Sequence, residues 1–304
     1  MQTGLFKWKP DYDGAASEYS KAATAFKNAK AYEQTISSLM KASEVQKKSG
    51  SSMEAAALIY KELKEFHKIA NLVEEASNLY LEHGVPDTAS IALERAAKMI
   101  ETHEPERAIE LYKKACDVCE GEDRVRHSAE MAGKAARIYI RLKRFDEAAE
   151  HLKKEIDHLS TVNHQGQLNK LMMALVLIHL HQDDFVAADQ AFKAAFSYDR
   201  FVESEEASAI EQLLKAYEEG DQEAADGIVK SPLFRYMEND FTKLARDLKV
   251  PGGLLSGKTE KSVPNATPSG EGDVTASGGG DAPTGADKGP EEEEEEDEFA
   301  GGLL

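Results

Sequence analysis

Two cysteines three residues apart, Cys116 and Cys119 in "CDVC", form the first group able to carry chemistry. Zinc would need two further ligands at similar spacing, and none lies nearby. A redox pair of this kind belongs after a strand, whereas both thiols fall inside an amphipathic helical pattern. They read as small buried apolar groups. The second group is "HLHQDD", with His179, His181, Asp183 and Asp184. A D-D-x-x-D motif could hold magnesium and a diphosphate, but Ala187 stands where the third acid belongs. These residues read as a helix end and its caps. No phosphate-binding glycine loop, H-E-x-x-H or nucleophile elbow occurs. The expectation is a binding protein rather than an enzyme, with no cofactor.

The remaining candidates are surfaces. In "GLFKWKPDYD", Leu5, Phe6 and Trp8 alternate with Lys7 and Lys9. Rings at headgroup depth with ammonium groups beside anionic lipid would give weak, reversible membrane contact. Packing of the same rings on the first helix is the equal alternative. Lys134, Arg137 and Arg141 are spaced i, i+3, i+7, so they share one helix side and could meet an acidic helical partner. The chain ends in eight acids, residues 291–298, and then "FAGGLL", whose Leu303 and Leu304 have nothing nearby in sequence to bury them.

Helices must position these groups. Alanine is abundant before Val250, and apolar residues recur at helical spacing, as in Tyr12, Ala15, Tyr19, Ala22 or Ala23, and Phe26. The block "FDEAAEHL" matches "YDGAASEY" position for position, and "MEAAALIY", "PERAIELY" and "FVAADQAF" keep its large–x–x–Ala–x–x–x–large core. Starts at 105, 145 and 185 are forty residues apart, and those at 12 and 53 forty-one apart. Such self-similarity predicts an all-α fold, a right-handed α-solenoid of tetratricopeptide-like hairpins. Gly50, Gly84 and Gly121 read as breaks, and Pro86 and Pro105 as helix starts.

The predicted organisation is a lead-in loop over 1–10, a solenoid over 11–199, a C-terminal helical cap over 200–250 and a disordered acidic tail over 251–304. Thirteen acids against three lysines fall beyond Val250, about half of the net charge of −19. That balance speaks against nucleic-acid binding. The apolar run "LMMALVLIHL" is about half the length a bilayer requires, so it reads as a core helix. Two lone cysteines and no leader-like N-terminus fit a cytoplasmic location.

With its aromatic–basic lead, helical hairpins, acidic tail and terminal leucine, the chain resembles the soluble N-ethylmaleimide-sensitive factor attachment proteins, the SNAP family. The matching segments are "LFKWKPDYDGAASEY", "VPDTASIALERAAK", "SPLFRYMENDF" and "DEFAGGLL", and the gamma form fits best. The resemblance implies a cytoplasmic, peripherally membrane-associated adaptor. Such an adaptor binds the SNARE four-helix bundle and recruits and stimulates the hexameric AAA+ fusion ATPase that takes the bundle apart. It implies ATPase-binding roles for Leu303, its neighbour Leu304, Glu218 and Glu219, with Lys215 in place of a third acid. Of the family's basic SNARE contacts it retains Lys134, while Val85, Ile91 and Glu130 stand where the alpha form has bases, so weaker or different SNARE partners are expected. The family also has a helix ahead of the aromatic lead, with which this chain begins, so the first helix is expected to fray. A generic peptide-binding scaffold is the alternative reading.

Overall fold

The computed structural model describes residues 11–45, 50–162, 165–198 and 200–252. Leu5, Phe6, Trp8, Leu303 and Leu304, and with them the lead-in and the acidic tail, lie outside the described residues.

Helix starts recur roughly every twenty residues. They are α1 Tyr12–Asn28, α2 Tyr32–Val45, α3 Gly50–Glu62, α4 Phe66–Glu82, α5 Pro86–Ile100, α6 Pro105–Gly121, α7 Val125–Arg141, α8 Phe145–Ser160, α9 Gln165–His181, α10 Phe185–Ala195, α11 Glu205–Glu218 and α12 Gln222–Val229. The short α13 Pro232–Arg235 and α14 Asn239–Arg246 follow, and no strand occurs among the described residues. From α1 to α10 each helix packs on its sequence neighbours, and α3 and α4 also reach α5 and α6, so the array is an α-solenoid. At the C-terminal end α11 and α14 fold back on α9, and α14 also touches α7.

The repeated block marks single helices, not one half of each hairpin. The copies at 12 and 53 lie on α1 and α3, those at 105, 145 and 185 on α6, α8 and α10. The reason is shared packing: every helix in the array is pressed between neighbours and needs alanines beside a large residue. Ala56, Ala57, Ala76, Ala96, Ala97, Ala115, Ala135, Ala136 and Ala148 are all fully buried, which lets the backbones approach. On α1 the buried line is Ala16 and Ala23, while Tyr12 and Phe26 from the expected apolar stripe are exposed.

The connections are built alike. Lys30, Lys64, Gly84, Asp123, Lys143, Asp183 and Gly220 have positive φ, and each stands two residues before the next helix. The amide after each donates back to the carbonyl five residues earlier, as Val85 does to Tyr80 and Arg144 to Tyr139, both at 2.9 Å. This left-handed cap satisfies helix-end carbonyls and turns the chain into the next helix. Gly84 works as expected, but the turn after α6 uses Asp123, and Gly121 is still helical. Gly50 opens α3 rather than ending a helix; a Cβ there would lie 2.8 Å from the Tyr80 ring. Pro86 and Pro105 begin α5 and α6, where a missing N–H costs no bond.

Candidate functional site

The cysteine and aspartate motifs are used up in the fold. Cys116 Sγ lies 3.2 Å from Ser128 Oγ, both thiols are buried, and burial raises the pKa of each. Asp184 caps α10 by accepting from the Ala187 amide at 2.8 Å, so the alanine in place of a third acid supplies the cap's donor. Asp183 takes the left-handed turn position and accepts from Tyr217 Oη at 3.0 Å. His181 Nε2 lies 2.6 Å from the Leu244 carbonyl of α14. Among the described residues no group of three or more His, Cys, Asp or Glu is placed to hold a metal ion. No described helix is long and apolar enough to cross a membrane.

A groove of about 630 Å³ is walled by α5, α7 and α8 and closed at one side by the start of α14. Lys134, Arg137 and Arg141 all line it, on one side of α7. Sequence spacing does not reveal their partners. Lys134 Nζ is 2.5 Å from Glu94 Oε1 and 2.8 Å from Glu130 Oε1. Burial pulls its pKa down, but the two carboxylates outweigh that and hold it raised. Arg141 reaches Asp240 at 3.3 Å and Glu101 at 3.6 Å.

Arg137 is the most enclosed of the three. Its Nη1 donates to Glu155 Oε2 at 3.2 Å, while Nε and Nη2 form a two-pronged contact with Glu238. The guanidinium also lies 5.0 Å from the Phe241 ring centre. Glu155 is fully buried on α8, and burial pushes its carboxyl up against the pull of Arg137. Gly133 makes room for this pair, because a Cβ there would come within 2.3 Å of Arg137 Nη1 and 2.4 Å of Glu155 Oε2.

Five cations and five carboxylates line the groove, so it is a balanced lattice of charge and not a basic stripe. Lys98 on α5 and Arg126 in the first turn of α7 are exposed and form no ion pair among the described residues. Sequence reasoning missed both, and also Glu155, Glu238 and Gly133. Glu155 left a trace: it stands on the apolar side of α8 between Leu152 and Ile156, where an acid needs a partner. Glu238 and Asp240, at the start of α14, left none, being about a hundred residues from their partners.

Glu218 and Glu219 lie elsewhere, exposed at the end of α11. Glu219 is 3.9 Å from Lys215, and Glu218 forms no ion pair among the described residues.

The family model described as "Soluble NSF attachment protein, SNAP" matches residues 2–231. The gamma-soluble NSF attachment protein of Dictyostelium discoideum is 28% identical over 269 residues, 86% of this chain and 83% of that one. Its counterpart in Arabidopsis thaliana is 30% identical over 258 residues, 82% of this chain and 87% of that one. The alpha-soluble NSF attachment protein of Vitis vinifera is 31% identical over 152 residues, 48% of this chain and 52% of its own length. Among solved structures, the apo form of RapI aligns with a TM-score of 0.41 at 18% identity, over 73% of this chain and 82% of that one. BtubC from P. vanneervenii aligns with a TM-score of 0.40 at 14% identity, over 87% and 100%. A match running from the aromatic lead through α12, together with gamma-form relatives along most of the chain, places this protein in the soluble NSF attachment protein family.

Proposed function

We infer that the chain is an adaptor that holds a SNARE four-helix bundle and recruits the hexameric fusion ATPase to it. Family membership over residues 2–231 carries this reading. The groove supports it physically, since a rod-shaped helical partner can lie along α5 and α7 and meet charge in register. Lys98 and Arg126 are its first contacts with partner carboxylates, being the groove cations with no ion-pair partner among the described residues. Lys134, Arg137 and Arg141 contribute after partial exchange of their own carboxylates. Glu218 and Glu219, with Leu303 and Leu304, are assigned to the ATPase. Leu5, Phe6 and Trp8 are assigned to the membrane surface, which keeps the adaptor peripherally attached in the cytoplasm.

Removing Leu303 and Leu304 is expected to leave bundle binding unchanged and to lower bundle-dependent ATP hydrolysis by the partner. Unchanged hydrolysis would sink the assignment of the leucines. Loss of all co-sedimentation between the intact chain, bundle and ATPase, with and without non-hydrolysable nucleotide, would favour a generic peptide-binding scaffold. Trp8→Ala should lower flotation with anionic vesicles; equal flotation would favour packing of the lead on the solenoid.

A further inference from the structure

We propose that Glu238 and Asp240 are an internal latch that occupies Arg137 and Arg141 in place of the carboxylates of an acidic helical partner, a proposal that rests on the groove reading above. The geometry separates two sides of the Arg137 guanidinium. Its buried side is taken by Glu155 through Nη1, and its outward fork, Nε and Nη2, by Glu238. The Glu238 side chain is 52% exposed although the arginine it holds is 14% exposed, so the acid approaches from the water side. A partner's carboxylate could reach Arg137 only there. Asp240, from the next residue but one, holds Arg141 by a single contact at 3.3 Å and is itself 14% exposed where that arginine is 43% exposed, while Glu101 flanks the arginine from the end of α5.

The two acids are not what keeps α14 in place. That helix is anchored by Phe241, Leu244 and Ala245, all buried, and by the hydrogen bond that its Leu244 carbonyl accepts from His181 Nε2. Thr242 Oγ1 also lies 3.1 Å from both the Phe234 and the Met237 carbonyl, which share its one proton, and this fixes the turn before α14. The acids can therefore leave the arginines while the helix stays docked. A partner must supply carboxylates good enough to displace both, because each arginine already has a charge-assisted bond. The latch thus sets a threshold: weakly acidic helices are refused, and binding frees two carboxylates at the edge of the groove.

The test titrates the full chain with an acidic, soluble four-helix SNARE bundle at low and physiological salt. The parent is compared with the double variant Glu238→Gln/Asp240→Asn and with Lys98→Glu/Arg126→Glu. The unlatched variant is expected to bind about tenfold more tightly at low salt, with the gap narrowing as salt rises. Asp240→Asn alone, which leaves the two-pronged contact intact, should gain less. Unchanged or weaker binding by the unlatched variant, with helical circular dichroism retained, would overturn the latch. If Lys98→Glu/Arg126→Glu still weakens binding in that case, the groove reading survives the loss of the latch. If that charge reversal binds like the parent, the groove reading falls and the latch falls with it.

Discussion

Helices α7 and α9 begin forty residues apart and occupy successive places in the array, yet they solve opposite problems. Gly133, Arg137 and, from the neighbouring α8, Glu155 form a buried ion pair at the floor of the groove. Forty residues on, the same places hold Met173, Leu177 and Ala195, all fully buried. The difference follows from what lies above. Water and the first turn of α14 face α7, whereas α11 and α14 cover α9, which is buried on nearly every side. The groove therefore ends where the C-terminal helices begin. A repeat position is polar or apolar according to its cover, not its register.

The comparison can be broken most severely by moving the charge. Leu177→Arg would bury a guanidinium at a fully buried position whose repeat equivalent of Glu155 is Ala195, and should cost about 4 kcal/mol or more in chemical unfolding. A cost below about 1 kcal/mol would mean that α9 is less enclosed than described. Arg137→Leu comes next, at about 3 kcal/mol, because Glu155 is left buried without its cation. Combining it with Glu155→Leu should recover most of that loss, since the apolar solution of α9 and α10 is then copied into α7 and α8. A double variant no more stable than Arg137→Leu alone would deny the equivalence. Gly133→Ala should destabilise by about 1–2 kcal/mol, despite alanine's better helix propensity, because the new methyl collides with the ion pair.

A smaller, pH-dependent effect separates the two solutions further. Burial lowers the pKa of His151 on α8 and of His179 on α9 from 6.5, so the folded protein keeps both rings neutral where the unfolded chain protonates them. That stability is present above about pH 6.5 and is lost as pH falls through the folded values, by up to about 1.4 kcal/mol per pH unit for each ring. The urea midpoint should fall between pH 7.5 and 5.5, and His179→Gln should flatten that fall. A midpoint that rises on acidification would contradict the burial argument. The smallest expected change is Lys143→Gly at the left-handed turn between α7 and α8, a gain of about 0.5–1 kcal/mol.

How far the sequence could be read follows from the range of the interactions. Helix starts at Pro105, Phe145 and Phe185, and the caps at Pro86 and Asp184, are legible because propensity, capping and turn chemistry act within a few residues. The core character of α9 is legible from its unbroken apolar run. That Lys134, Arg137 and Arg141 share one side of α7 follows from helical spacing. Their neutralisation does not, because Glu94 lies on the preceding odd helix and Glu238 about a hundred residues downstream. The exposure of Tyr12 and Phe26 on α1 was equally hidden, since periodicity marks an apolar side but not whether a neighbour covers it.

The central claim is that a helical partner lies in the groove over α5 and α7 and not on α9 or the outer helices. Lysine acylation of the full chain, with and without a soluble SNARE bundle, tests it most directly. Bound bundle should protect Lys98 and Lys134 from acylation and leave Lys153 and Lys193, on α8 and α10, as reactive as before. Protection of Lys153 or Lys193 with Lys98 and Lys134 unchanged would contradict the account.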